Sequence, residues 1–265
     1  MPRFAGYRTP DPGGATGDAV RWWDANATDY YDEHGPTLGD DDLLWCPEGL
    51  TEAEVGLLGP LVGRRVLEVG AGAAQGSRWC AAHGAQVVAT DLSAGMLAQG
   101  ARLNATSASP APLVQADARA LPFPSDAFDV VFSAFGALPF VADAGGVHRE
   151  VARVLRAGGR WVFSVTHPIR WAFPDDPSEH GLTAVRSYFD RTPYVETDDA
   201  GRLEYAEHHR TVSDHVRDVV GAGLVIDAMV EPEWPAGRNE VWGGWGPVRG
   251  ALLPGTLIVA AHRPD

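Results

Sequence analysis

A glycine-rich bend followed by a carboxylate is the pattern in this sequence best suited to chemistry. An apolar β-rich run ends at Gly70 and Gly72, and Asp91 follows roughly 20 residues after the first glycine, at the end of a second β-rich run. Glycine permits positive φ and lets a ligand approach the backbone, and the amides that open the next helix face that ligand. A carboxylate at this spacing can bind ribose hydroxyls. The pattern therefore predicts a nucleoside site.

The details of the loop favour a nucleoside that carries an amino-acid group over a dinucleotide. In the dinucleotide pattern G-x-G-x-x-G the third glycine would fall at position 75, where this chain has Gln75, and a glycine follows only at Gly76. Glu68, two residues before Gly70, would repel a pyrophosphate but suits a ligand with an ammonium group. An NAD-dependent oxidoreductase is therefore the weaker alternative.

Four sequence blocks resemble the class I S-adenosylmethionine-dependent methyltransferases in order and spacing, over about residues 60–167. The blocks are Glu68-x-Gly70-x-Gly72, the run from Ala89 through Asp91 to Leu97, the run from Ala116 through Asp117 to Val131, and the run from Val154 to Arg160. The third block resembles the quinone and sterol methyltransferase-like branch of that family. The resemblance implies S-adenosylmethionine as cofactor, S-adenosylhomocysteine as product and a small molecule as methyl acceptor.

The same resemblance implies contacts to the methionine part of the cofactor. Gly70, Ala71 and Gly72 would run along it, and Glu68 would support the loop or meet the ammonium group. Many relatives have glycine where this chain has Ala74, which predicts a less permissive loop, and Gln75 would point at the cofactor carboxylate.

Contacts to the nucleoside part follow in the next two blocks. The resemblance implies that Asp91 accepts both ribose hydroxyls and that Leu92 and Met96 pack on the adenine face. Asp117 would accept from the adenine amine beside the Ala118 amide, the alternative being a simple turn residue.

Two further groups of residues complete the expected cofactor site. Ser133, Ala134 and Phe135, just after the fourth core strand, would border the methyl group. Tyr30 and Tyr31 lie in an aromatic stripe at helical spacing, which general packing would place on the core. The family resemblance implies instead that this amino-terminal helix covers the cofactor as a lid, and both interpretations can hold for different residues.

Catalytic residues are harder to identify, because methyl transfer from a sulfonium mainly requires alignment of the acceptor. A hydroxyl or carbon acid needs a proton acceptor, whereas an unprotonated amine does not. His167 is the first candidate base, because it follows the fifth strand and histidine titrates near neutrality. The alternative is that it only hydrogen-bonds a turn. Tyr188 and His208 are weaker candidates.

Alternating strands and helices predict the fold that must position these residues. The expected architecture is α/β: a Rossmann-like, doubly wound, mostly parallel seven-stranded sheet with an antiparallel last strand. A loose tail is expected at 1–17, N-terminal lid helices at 18–59 and the main domain at 60–265. An aromatic insertion after the fifth strand, at about 168–207, would cover the substrate.

Composition limits the remaining possibilities. The net charge of −14 argues against sequence-independent binding of nucleic acid. All 21 basic residues are arginine, which excludes lysine-based chemistry and is typical of GC-rich bacterial genomes. Cys46 and Cys80 lack metal-ligand spacing, so we expect no metal. No run of about 20 apolar residues and no secretory signal is present, so a cytoplasmic location without membrane partner is the default. The oligomeric state is not readable.

The leading hypothesis is therefore an enzyme that methylates a small, apolar or aromatic acceptor in an enclosed pocket. O-, N- and C-methylation remain open. The alternative is a protein that binds the nucleoside without methyl transfer and serves as a sensor or partner-binding module.

Overall fold

A computed structural model describes residues 4–9 and 15–265, with the side chains of 15–19 left out. The strands are β1 Phe4–Tyr7, β2 Arg65–Val69, β3 Gln86–Asp91, β4 Leu113–Gln115, β5 Phe128–Ala134, β6 Leu155–Thr166, β7 Tyr194–Thr197, β8 Leu203–Glu207, β9 Val225–Val230 and β10 Thr256–His262. The α-helices are α1 Ala15–Leu38, α2 Glu52–Val55, α3 Gln75–Ala82, α4 Ala94–Asn104, α5 Ala144–Val154, α6 Val212–Gly221 and α7 Pro247–Gly250.

The main sheet has seven strands in the order β4-β3-β2-β5-β6-β10-β9. The five strands from β4 to β6 pair in parallel, whereas β10 runs antiparallel to both of its neighbours. This confirms the predicted α/β, Rossmann-like fold with an antiparallel last strand. The carboxyl ends of β2, β3, β5 and β6 therefore meet at one edge, where the connecting loops can share a ligand.

Strand β2 lies at the centre because its side chains are apolar on both faces. Leu67 and Val69 pack into the core cluster that contains α5, while Val66 packs into the cluster on the other face with Trp45. Alternate side chains of a strand point to opposite faces, so one short apolar run serves two layers.

A second, three-stranded sheet has the antiparallel order β1-β7-β8 and joins the start of the chain to the 168–207 region. The tail predicted at 1–17 is wrong for residues 4–7, which pair with Tyr194–Thr197. Residues 1–3 and 10–14 of that prediction lie outside the described residues. Four apolar or small residues that pair with a neighbouring strand are too short a run for a sequence pattern to reveal.

Helix α1 begins at Ala15 instead of the expected Asp18 and lies across α4 and β8. Asp24 accepts hydrogen bonds from the Ser93 hydroxyl at 2.6 Å and from the Gly95 amide at 2.9 Å. A Cβ on Gly95 would lie 2.6 Å from the Asp24 carbonyl oxygen, so the two helices meet backbone to backbone. Within the described residues no helix is long and apolar enough to cross a membrane.

Candidate functional site

A cleft of about 430 Å³ opens at the carboxyl ends of the parallel strands. The loops after β2, β3, β4 and β5 form one end, and β8 and the segment after β6 form the other. Helix α1 lies along both ends. Fourteen of the fifteen residues predicted to bind the cofactor line the cleft, namely Tyr30, Tyr31, Glu68, Gly70, Ala71, Gly72, Gln75, Asp91, Leu92, Met96, Asp117, Ala118, Ala134 and Phe135. Ser133 is the exception, because its buried side chain points into the protein and leaves its hydroxyl unpaired there.

The glycine loop after β2 depends on close backbone contacts. Gly70 and Gly72 have φ of 68° and 54°, and a Cβ on Gly70 would lie 2.3 Å from the Ala137 nitrogen. A Cβ on Gly136 would in turn lie 2.1 Å from the Gly70 oxygen. The loops after β2 and β5 therefore touch through bare backbone, which only glycine allows at these two positions.

Left-handed backbone also occurs at non-glycine residues around the cleft. Phe135 and Ala137, in the loop after β5, have φ of 54° and 24°, and Ala74 before α3 has φ of 61°. Such conformations cost free energy for residues with a Cβ and cluster at functional sites. The sequence predicted a less permissive loop at Ala74; the alanine instead adopts the conformation that glycine would favour.

Asp91 ends β3 and holds the glycine loop in place. Its two carboxylate oxygens accept hydrogen bonds from the amides of Gly72 and Ser93, each at 2.8 Å. Burial raises the pKa of Asp91 to about 6, against the effect of these hydrogen bonds. The side chain faces the cleft with further acceptor capacity, since each carboxylate oxygen has two lone pairs.

Glu68 lies under the glycine loop and is only 4% exposed. It accepts a hydrogen bond from the Ser77 hydroxyl at 2.6 Å, and burial raises its pKa to about 7. A Cβ on Gly76 would lie 2.9 Å from the Glu68 carboxylate. The glycine one position later than in the dinucleotide pattern thus makes room for this carboxylate.

Asp117 lines the cleft but already has a partner. The guanidinium of Arg119 lies 2.6 Å from the Asp117 carboxylate, and the backbone amide of Arg119 donates to the same carboxylate at 2.8 Å. This partner lowers the pKa of Asp117, so the carboxylate is ionised and its remaining lone pairs face the cleft.

The aromatic residues of α1 pack on the core and also border the cleft, and their role as a cofactor lid stays a prediction. Ala27 is buried, and Tyr30 and Tyr31 pack beside it against Met96 and Ala73. Both tyrosines also line the cleft, and burial raises the pKa of Tyr30 to about 12.

His167 does not line the cleft, contrary to its predicted role as base. Its Nδ1 accepts a hydrogen bond from the Ile169 amide at 3.1 Å, and its Nε2 lies 2.8 Å from the Glu231 carboxylate. Burial lowers its pKa although Glu231 opposes this. The His-Pro pair therefore begins the short helix Pro168–Ala172, which was the structural alternative.

Tyr188 and His208 also lie outside the cleft. The Tyr188 hydroxyl accepts a hydrogen bond from the Val212 amide at 2.9 Å, at the start of α6. The backbone amide of His208 donates to the Pro139 carbonyl at 2.7 Å, and burial lowers the pKa of its ring to about 4. Neither side chain is placed to act on a molecule in the cleft.

Several polar and aromatic side chains at the far end of the cleft were not predicted. They are Arg170, Asp175, Tyr205, Glu207 and Trp242. Arg170 could have been identified as a residue just past the end of β6, and Tyr205 and Glu207 by their alternation along a strand. Among the described residues, no group of three histidine, cysteine or acidic side chains is arranged to hold a metal ion.

Comparisons with known proteins agree with this geometry. Residues 67–163 match a family model described as a methyltransferase domain. The chain is 35% identical over 211 residues to demethylmenaquinone methyltransferase from Mycolicibacterium paratuberculosis, covering 78% of each protein. For several other demethylmenaquinone methyltransferases the alignment spans 40% to 49% of their length.

Two solved structures extend the comparison. An S-adenosylmethionine-dependent methyltransferase from Mesorhizobium loti superposes with a TM-score of 0.59 at 26% identity, over 80% of this chain and 96% of that one. The 1,6-didemethyltoxoflavin-N1-methyltransferase of Burkholderia thailandensis was solved with 1,6-didemethyltoxoflavin and S-adenosylhomocysteine. It superposes with a TM-score of 0.59 at 18% identity, over 100% of this chain and 97% of that one. The second likeness concerns the fold alone.

Proposed function

The chain belongs to the class I S-adenosylmethionine-dependent methyltransferases, and on this premise we propose that it methylates a small aromatic or apolar molecule enclosed in the cleft. The observation that carries the acceptor class is the continuity of one cleft from the glycine loop to a wall of aromatic rings. Trp23, Phe140 and Tyr205 line that wall, with ring centroids 5.3 Å apart for the first pair and 5.8 Å for the second.

The name of the mycolicibacterial relative supports the same class of acceptor. That protein is described as acting on demethylmenaquinone, a quinone, and quinone rings are flat and largely apolar. Flat aromatic molecules gain from edge and face contacts with rings such as Trp23 and Phe140. O-, N- and C-methylation all remain compatible with this proposal.

The residues around the glycine loop fit S-adenosylmethionine. In this proposal Gly70, Ala71 and Gly72, which line the cleft, lie along its methionine part. The absence of side chains at Gly70 and Gly72 leaves the loop backbone open to the ligand. Glu68 supports the loop, and Gln75, the first residue of α3, faces the cofactor carboxylate. Bound there, the cofactor supplies a methyl group activated by a sulfonium.

At the nucleoside end we assign Asp91 to the ribose hydroxyls, Leu92 and Met96 to the adenine face, and Asp117 with Ala118 to the adenine edge. Asp91 then binds the ribose and also holds the glycine loop, since it already accepts a hydrogen bond from the Gly72 amide. Helix α1 covers this end through Tyr30 and Tyr31, which would exclude water and keep the acceptor aligned.

Isothermal titration of the purified protein with S-adenosylhomocysteine, with NAD as the control ligand, tests the proposal. We expect micromolar binding of the former and none of the latter. Asp91→Asn should weaken binding about tenfold to a hundredfold, because hydrogen bonds to a charged group contribute roughly 1.5–3 kcal/mol. Asp227→Asn, on the exposed side of β9, is the matched control.

Absence of S-adenosylhomocysteine binding by the folded wild-type protein would contradict the assignment of the cleft. The search would then turn to partner proteins. Equal affinity of the Asp91→Asn and Asp227→Asn variants would remove Asp91 from the site while leaving the fold assignment intact.

A further inference from the structure

The acceptor end of the cleft holds a carboxylate that has no role in cofactor binding. Glu207 and Tyr205 lie two residues apart on β8 and both line the cleft, because alternate side chains of a strand share a face. Ala206 between them points to the other face, where it is buried with Val195 and Leu203. The strand therefore presents one hydroxyl and one carboxylate to whatever molecule occupies this end.

The position of Glu207 relative to the cofactor end is set by the following residue. The His208 amide donates to the Pro139 carbonyl at 2.7 Å, in the short helix Leu138–Phe140 that follows β5. Phe135 and Phe140, on either side of that carbonyl, line the cleft. The Glu207 side chain thus faces the same space as the loop expected to border the methyl group.

Glu207 shares its counter-ion with a second carboxylate, because Arg170 interacts with both Glu207 and Asp175. Arg170, the nearby cation, is itself paired with Asp175 at 3.3 Å. The Tyr205 hydroxyl donates to Glu207 at 3.3 Å, a long and weak hydrogen bond. Tyr7 of β1 and Tyr194 and Glu196 of β7 are the other titratable groups that interact with this cluster.

Burial raises the pKa of Glu207, while the Arg170 charge and the Tyr205 hydroxyl lower it and the Asp175 charge raises it further. A carboxylate whose pKa moves toward neutrality, inside a cleft lined by aromatic rings, has the properties of a general base.

We propose that Glu207 accepts the proton of a hydroxyl group on the acceptor, and hence that the acceptor is a hydroxylated aromatic molecule. The inference rests on the methyl transfer proposed above. The acceptor oxygen forms a bond to the methyl carbon while the carbon–sulfur bond breaks, and the electron pair of that bond stays on sulfur. The proton leaves the acceptor oxygen for the Glu207 carboxylate and later passes to water.

A hydroxyl explains this carboxylate better than an amine does. A neutral amine attacks without help from a base, and a carboxylate beside it would favour the protonated, unreactive form. A hydroxyl gains nucleophilicity as its proton is withdrawn, so the carboxylate aids the step. The aromatic wall of Trp23, Phe140 and Tyr205 provides contacts for the ring that carries the hydroxyl.

The test uses matched pairs of ring compounds as acceptors. The wild-type protein is supplied with S-adenosylmethionine and with 1-naphthol, 2-naphthol or catechol, each compared with the amine of the same ring skeleton. Formation of S-adenosylhomocysteine is measured. We expect turnover of one or more hydroxylated compounds and at least tenfold lower kcat/KM for the matching amine.

Two variants isolate Glu207. Glu207→Gln keeps the shape and removes the base, and we expect kcat/KM to fall a hundredfold or more while affinity for S-adenosylhomocysteine changes less than threefold. Glu204→Gln makes the same chemical change on the same strand but outside the cleft, and should retain wild-type kinetics. Tyr205→Phe removes the hydrogen bond that lowers the Glu207 pKa, so the acidic limb of its pH–rate profile should move to higher pH.

The outcomes separate this inference from the proposed function. If S-adenosylhomocysteine does not bind the wild-type protein, the proposed function fails. If it binds but none of the hydroxylated compounds is methylated, or if Glu207→Gln behaves like Glu204→Gln, the hydroxylated acceptor and the base role are overturned while the methyltransferase assignment stands. Preference for the amines would overturn the hydroxyl class in the same way.

Discussion

Two carboxylates under the glycine loop differ in how they are satisfied. Asp91 accepts from the amides of Gly72 and Ser93 and so fixes the loop, whereas Glu68 accepts from the hydroxyl and the amide of Ser77 and lies deeper. Burial raises the pKa of both, to about 6 for Asp91 and about 7 for Glu68. Protonation in this pH range therefore affects folding as well as ligand binding.

Glu68 should make the protein less stable as the pH rises. Between its ordinary pKa of 4.5 and its folded value of about 7, the unfolded chain releases the proton while the folded chain keeps it. The stabilisation is complete below the lower value and is lost as the pH passes the higher one. A shift of this size corresponds to about 3 kcal/mol.

Urea denaturation at pH 5 and pH 7 measures this effect. The free energy of unfolding of the wild-type protein should fall more over that interval than that of Glu68→Gln, by about 2 kcal/mol, because the rest of the effect lies below pH 5 and above pH 7. Glu204→Gln controls for the loss of a glutamate elsewhere. The same pH dependence in wild type and Glu68→Gln would show that Glu68 is not the group responsible.

At the scale of elements, the arrangement of α1 depends on a contact with one glycine of α4. Ser93 caps α4 by accepting from the Met96 amide, and Asp24 supports this cap by accepting from the Ser93 hydroxyl and the Gly95 amide. The lid helix and the loop that carries Asp91 are thereby connected through Ser93, whose amide also donates to Asp91. A change at this contact should reach the nucleoside end of the cleft.

Gly95→Ala should displace α1, since the new Cβ would lie 2.6 Å from the Asp24 carbonyl oxygen and 2.8 Å from its Cα. Overpacking of this kind costs about 1–3 kcal/mol, which corresponds to a fall in Tm of roughly 2–10 °C for a chain of this size. Thermal unfolding and titration with S-adenosylhomocysteine should show lower Tm and weaker binding.

Gly221→Ala is the matched control, because no heavy atom lies within 4 Å of the added Cβ at the end of α6. Alanine is the better helix former, so this variant should be neutral or stabilised by up to about 1 kcal/mol. If Gly95→Ala were as stable as Gly221→Ala and bound S-adenosylhomocysteine equally well, α1 would not depend on this contact.

At the scale of the whole molecule, each of the two sheets contributes the residues of one end of the cleft. The seven-stranded sheet provides the nucleoside end through the loops after β2, β3, β4 and β5. The three-stranded sheet provides Tyr205 and Glu207 and depends on β1, whose Tyr7 ring packs against Trp171 and Tyr194 with centroids 6.2 Å and 5.7 Å away. The two ends should therefore respond separately to changes in the chain.

A variant that lacks residues 1–9 tests this division. It loses the partner of β7 and the Tyr7 contacts, so we expect Tm to fall by several degrees and turnover of hydroxylated acceptors to drop. Affinity for S-adenosylhomocysteine should stay within about threefold, since the other sheet forms that end. Deletion of 1–3 alone keeps β1 and is the control. Unchanged Tm and turnover after the longer deletion would contradict the role of β1.

The main sheet and the position of the cleft beside the glycine loop were predictable from the sequence, because both depend on local patterns. Apolar runs such as that of β2 predict buried strands, and glycine spacing with a carboxylate at the next strand end predicts a ligand-binding loop. Chain order then places Gly70, Asp91 and Asp117 at one edge of the sheet. His167 follows the same rule of position but turns away, since its ring begins a helix and meets Glu231.

The acceptor end was decided only by the tertiary structure. Glu207 acquires its surroundings from Arg170 after β6, from its own strand and from a sheet completed by residues at the start of the chain. Pairing between segments as far apart in the chain as β1 and β7 leaves no periodic signal in either segment, and the pKa of a carboxylate depends on what buries it. Local patterns in this sequence therefore predict the cofactor end of the cleft, while the charges at the other end arise from contacts between distant segments.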